Sequence, residues 1–101
     1  MGMGYDVCCG VDVGKYSHHM VALDASGEVL AEGPVRQSEA AIREALAPVA
    51  AAGRARVVVD QPGPLSSLLL AVAADMALDV GFITPRAMSE GICLFGGEVK
   101  T

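Results

Sequence analysis

At 101 residues, 52% of them apolar but only 4% aromatic and none tryptophan, the chain makes one small domain. Its core must come from Val, Leu, Ala and Ile, which suits a helix-flanked parallel sheet. Twelve acids against seven scattered bases leave a net charge of −5, which excludes a strong grip on nucleic acid by this chain alone, since such affinity comes mostly from neutralising phosphates.

No apolar run approaches the ~20 residues that cross a bilayer. The start, Met1-Gly2-Met3-Gly4-Tyr5-Asp6, has neither a basic n-region nor an apolar h-region, and Asp6 stands where myristoylation requires Ser or Thr. A cytoplasmic protein without membrane contact is expected. Cys8, Cys9 and Cys93 form no CxxC pair. Neighbours on a strand point to opposite faces, so Cys8 and Cys9 cannot share a metal, and all three read as reduced core thiols.

Residues 6–13 form an apolar run ending at Gly14-Lys15, and residues 18–24 form a second. Asp24-Ala25-Ser26-Gly27 is an Asx- and Gly-type turn, and residues 28–35 return as a third strand. Pro34 favours an edge position for it. The opening is thus an antiparallel meander whose first strand is apolar enough to be central.

Ser38 is the expected N-cap of a helix carrying Ile42, Ala45, Leu46, Val49 and Ala50 at helical spacing, with Gly53 stopping it. Arg56 to Asp60 follow, and three consecutive valines predict a strand buried on both faces. Gln61-Pro62-Gly63-Pro64 breaks the chain. Leu65, Leu68, Leu69, Val72, Ala73 and Met76 mark a second helix, residues 79–83 a fifth strand, and residues 85–95 a third helix closed by Gly96-Gly97. The order βββαβαβα, with right-handed crossovers, predicts a ribonuclease-H-like α/β fold: a mixed five-stranded sheet, first three strands antiparallel, helices on both faces.

Two acids stand out by position. Asp12 ends an apolar strand, and Asp60 ends the valine strand. If those strands are parallel neighbours, both carboxylates emerge at the carboxyl ends, where ligands of open α/β sheets bind. Like charges held close call for a shared proton or a cation, and hard oxygen ligands favour Mg²⁺ or Mn²⁺. In two-metal phosphoryl transfer such ions activate the attacking oxygen and stabilise the leaving one. The competing structural reading of Asp60 is a turn residue bonding the backbone of 61–63; Asp12 has less of an alternative, because a carboxylate within an apolar strand is costly unless engaged. The segment from Gly10 to Tyr16 superficially resembles a P-loop, but its glycines are one residue too close and Tyr16 replaces the magnesium-binding Ser or Thr. Gly14 permits a tight turn, Lys15 could meet a phosphate but reads rather as a solvated turn residue, and His18 and His19 lie in no metal-binding spacing.

Four blocks in order, GVDVGKYSHHMVALDASGEVL (10–30), VVVDQPG (57–63), LLLAVA (68–73) and GGEVKT (96–101), resemble the DEDD transposases and Piv-type DNA invertases of bacterial insertion sequences. The resemblance implies a RuvC-like catalytic domain with four acids, the first matching Asp12 and the second Asp60, where many members carry Glu. The last two acids follow a Lys-Thr pair, matched by Lys100-Thr101. The chain is therefore expected to be a single RuvC-like domain, 1–101, truncated before the third and fourth acids. It would hold Mg²⁺ or Mn²⁺ weakly and be inactive alone. Its parent would act on DNA, with a further nucleophilic serine domain and a possible guide RNA. Two other readings compete. One is an ATP-binding fragment of a sugar kinase or Hsp70-like ATPase, in which D-x-G-K positions magnesium-ATP. The other is a non-catalytic module that homodimerises through exposed apolar surface.

Overall fold

In the computed structural model, which describes residues 5–60 and 63–82, the chain folds as β1 (Val7–Asp12), β2 (Ser17–Asp24), β3 (Val29–Arg36), α1 (Glu39–Ala51), β4 (Ala55–Val59), α2 (Ser67–Asp75) and β5 (Asp79–Phe82). The five strands form one sheet in the order β3-β2-β1-β4-β5. β1 pairs antiparallel with β2 and parallel with β4, and β5 extends the parallel half. Element order and strand directions match the ribonuclease-H-like arrangement expected from the sequence. The third helix, residues 85–95, lies outside the described residues.

The central place of β1 follows from its composition. Val7, Cys8, Cys9 and Val11 are all buried, as are Val57, Val58 and Val59 of β4. Both strands thus bury both faces, as continuous apolar runs in parallel sheets do. Side chains of alternate parity separate cleanly. Val7, Cys9, Val11, Ala55, Val57 and Val59 join one core cluster with Ile42, Leu46 and Val49 of α1 and Leu69, Val72 and Ala73 of α2. Both described helices therefore cover one face. Cys8 and Val58, pointing the other way, are nevertheless buried at 2% and 0% exposure.

Local chemistry sets the boundaries. Asp24 Oδ1 accepts hydrogen bonds from the backbone N–H groups of Ser26 and Glu28 and from the Ser26 hydroxyl. These bonds, led by the one from Ser26, hold the Asp24 carboxyl below its ordinary range. Gly27 takes φ +90°, a region open to glycine without steric cost, and the β2–β3 hairpin closes there. β3 is an edge strand, and it tolerates Pro34 opposite His19. Ser38 caps α1 by accepting from the Ala41 N–H at 3.2 Å. Pro48 sits within α1 and removes one helix hydrogen bond.

The cysteines divide. Cys9 is a free, buried thiol whose pKa burial pushes up to about 12. Cys8 is disulfide-bonded, which corrects the reading of all three as reduced. Cys93 lies outside the described residues.

Candidate functional site: two carboxylates at the carboxyl ends of parallel strands

The parallel register of β1 and β4 pairs Val11 with Val59. Asp12 and Asp60 are the next residue on each strand, so the two acids leave the sheet as neighbours at the same end. Asp12 is exposed and Asp60 partly buried. Asp60 Oδ1 accepts from the Val13 N–H at 3.4 Å, a long bond that ties the Asp60 carboxylate to the backbone beside Asp12. Through it Asp60 reaches across to β1. Asp12 is also in register with His19 of β2, whose Nε2 lies 3.6 Å from Glu32 Oε2. Among the described residues no three His, Cys, Asp or Glu side chains gather closely enough to enclose a metal.

Behind the two acids lies a polar relay that the sequence reading missed. His18 is 2% exposed. Its Nδ1 accepts from the Gly14 N–H at 3.1 Å, so the ring proton sits on Nε2 and is donated to Gln37 Oε1, also at 3.1 Å. Gln37 Nε2 in turn donates to the Leu65 carbonyl at 3.0 Å, and the Gln37 N–H donates to the Tyr16 carbonyl. The loop that follows Asp12 is thus joined, through two side chains, to the segment that follows Asp60. A histidine on an apolar strand gives little sequence signal of such a role; the one clue was a Gln placed just before an N-cap serine. Gly14 has its own reason to be glycine: a Cβ there would collide with the Ser17 carbonyl.

Two carboxylates at a shared strand end are a donor set chemically suited to a hard divalent cation. Among the described residues it supplies fewer oxygen ligands than a two-ion site needs.

A family model of DEDD transposases of the IS110 type, described simply as transposase, matches residues 9–101. The chain belongs to the IS110-type DEDD transposase family. Among curated relatives of the chain, an uncharacterized 43.6 kDa protein of insertion element IS110 from Streptomyces coelicolor is 35% identical over 96 residues, 94% of this chain and 24% of that protein. An uncharacterized 44.8 kDa protein of insertion element IS116 from Streptomyces clavuligerus is 33% identical over 92 residues, 91% of this chain and 23% of that protein. The chain spans about a quarter of the length of these relatives. A solved structure from Bacteroides thetaiotaomicron, a protein with actin-like ATPase fold and unknown function, superposes with a TM-score of 0.60 at 14% identity, covering 85% of this chain and 37% of that one. Likeness at that identity shows the fold alone, so it does not favour the ATPase reading over the transposase one. No helix among the described residues is long and apolar enough to cross a membrane.

Proposed function

We propose that Asp12 and Asp60 are metal-holding, catalytic carboxylates of a transposase that cuts and joins DNA strands with Mg²⁺ or Mn²⁺. The observation that carries this reading is their placement as neighbours at the carboxyl ends of parallel β1 and β4, in a chain of the transposase family. When bound, a divalent ion would activate the attacking oxygen and stabilise the leaving one. Asp12, exposed, offers both its oxygens. Asp60 turns Oδ1 toward Val13, and its carboxylate would join Asp12 in holding the ion. On this reading DNA is the partner of the whole protein, together with a guide RNA; self-association through exposed apolar side chains belongs to the competing, non-catalytic reading of this chain.

With two carboxylates and no third ligand in reach among the described residues, the 101-residue chain alone should hold the ion weakly and leave DNA uncut. The test is Mn²⁺ titration of the chain followed by NMR. Selective broadening of the Val13 and Asp60 amide signals is expected, and it should vanish in Asp12→Asn and Asp60→Asn variants that retain the native spectrum. Broadening that is unaffected by both substitutions, or that centres elsewhere, refutes the assignment.

A further inference from the structure

Next to the relay, on the side of α1, lies a basin of about 450 Å³ lined by Lys15, Tyr16, Arg36, Gln37 and Ser38. It sits where β2 begins and β3 ends, held by the Ser17–Arg36 pairing and by the Gln37 N–H bonded to the Tyr16 carbonyl. Its backbone is therefore fixed by the sheet while its side chains face solvent. The five described cations of the chain differ in their partners. Arg43 forms ion pairs with Glu39 and Asp75. Arg54 and Arg56 lie over the Tyr5 ring at 4.8 and 5.7 Å. Lys15 and Arg36 have no carboxylate partner among the described residues, and both line this basin. Between them Tyr16 is 77% exposed, with the Lys15 ammonium 5.3 Å from its ring centroid.

An aromatic ring left in water beside two unneutralised cations is the combination that binds single-stranded nucleic acid, the cations meeting phosphates and the ring stacking a base. The end of the sheet is shared with Asp12, one short turn away. We infer that this basin is a strand-holding subsite for single-stranded nucleic acid: Lys15 and Arg36 take adjacent phosphates and Tyr16 stacks a base. The inference rests on the proposed nucleic-acid chemistry of Asp12 and Asp60 but needs no metal. Duplex is a poorer fit, because its bases are already stacked on one another. The pull is modest, as a chain of net charge −5 requires.

The experiment uses the 101-residue chain, EDTA in all buffers, and fluorescence anisotropy of labelled oligothymidylate and oligouridylate of about 15 nucleotides, the upper span of one such groove. Two phosphate contacts predict that raising salt tenfold weakens binding roughly 25-fold, from about 0.7 counterion per phosphate. The Lys15→Ala/Arg36→Ala variant should lose that salt dependence. Tyr16→Ala should weaken binding by about fivefold or more while leaving the salt dependence in place, and Tyr16→Phe should restore it. Arg43→Ala, whose charge is already neutralised, should bind as the unaltered chain does. Failure of both oligonucleotides to bind overturns the inference, as does a mixed-sequence duplex binding more tightly than either. So does equal binding by the double variant or by Tyr16→Ala. Because EDTA is present, a failed Mn²⁺ titration with intact oligonucleotide binding would sink the metal assignment alone, and the converse would sink only the subsite.

Discussion

Replacing His18 tests whether the relay between the two acid-bearing segments stabilises the fold. The imidazole is 2% exposed and makes two hydrogen bonds, one from Gly14 and one to Gln37. Phenylalanine keeps most of the volume but strands a backbone N–H and an amide oxygen, each costing about 1–3 kcal/mol when buried. Gln37 is only partly buried, so water recovers some of its loss, and His18→Phe should cost about 2–4 kcal/mol. Asparagine can still accept from Gly14 through its amide oxygen while failing to reach Gln37. His18→Asn adds a small cavity but keeps one of the two bonds, so its polar loss is about half. Urea unfolding, followed by circular dichroism, measures both. The ring tautomer can be read separately from the imidazole nitrogen shifts, which should show a protonated Nε2 and a bare Nδ1. A His18→Phe variant within about 0.5 kcal/mol of the unaltered chain would refute the reasoning, because it would mean that neither bond contributes net stability.

Two further outcomes follow from features of the same core. Burial raises the Cys9 thiol from its ordinary value of 9.0 to about 12, so the folded state retains a proton that the unfolded chain releases. Stability should then fall as pH rises from about 9 toward about 12, by at most ~1.4 kcal/mol per pH unit; in paired denaturation curves a Cys9→Ala variant should lack this part of the alkaline slope, and identical slopes would contradict it. Gly14→Ala places a methyl against the Ser17 carbonyl, so the turn after β1 must shift. A loss of about 1–3 kcal/mol is expected, with a displaced His18 ring signal, and an unchanged unfolding midpoint would count against the collision.

Much of the fold was legible because burial imposes short-range pattern. Three consecutive valines require two covered faces, and β4 has them; the Asp-Ala-Ser-Gly turn needs only its own four residues. Helix ends were also local, with Ser38 bonding three residues ahead. The second helix begins at Ser67 rather than Leu65, because the turn after Gly63 consumes the intervening residues: the Ser66 and Ser67 hydroxyls both donate to backbone carbonyls of that turn. Asp12 and Asp60 could be picked out because each interrupts an apolar strand at its end. His18 could not. Its partners lie 4 and 19 residues away on different elements, and nothing in the strand pattern distinguishes a hydrogen-bonded core histidine from an apolar neighbour. The basin was equally hidden: Lys15 and Arg36 are 21 positions apart and meet only because β2 and β3 pair antiparallel, with Ser17 opposite Arg36.

The parallel pairing of β1 with β4 also bears on how the molecule comes together in time. Val13 and Asp60 are separated by 47 positions, with a hairpin and a helix between them. Closing so long a loop is slow compared with forming either piece. The meander and α1 can therefore organise first, and the two aspartates remain strangers until β4 docks. An ion that prefers the assembled pair would draw the equilibrium toward the docked form by mass action, so divalent cations should slow unfolding or speed the final docking step, and refolding traces with and without Mn²⁺ would reveal which.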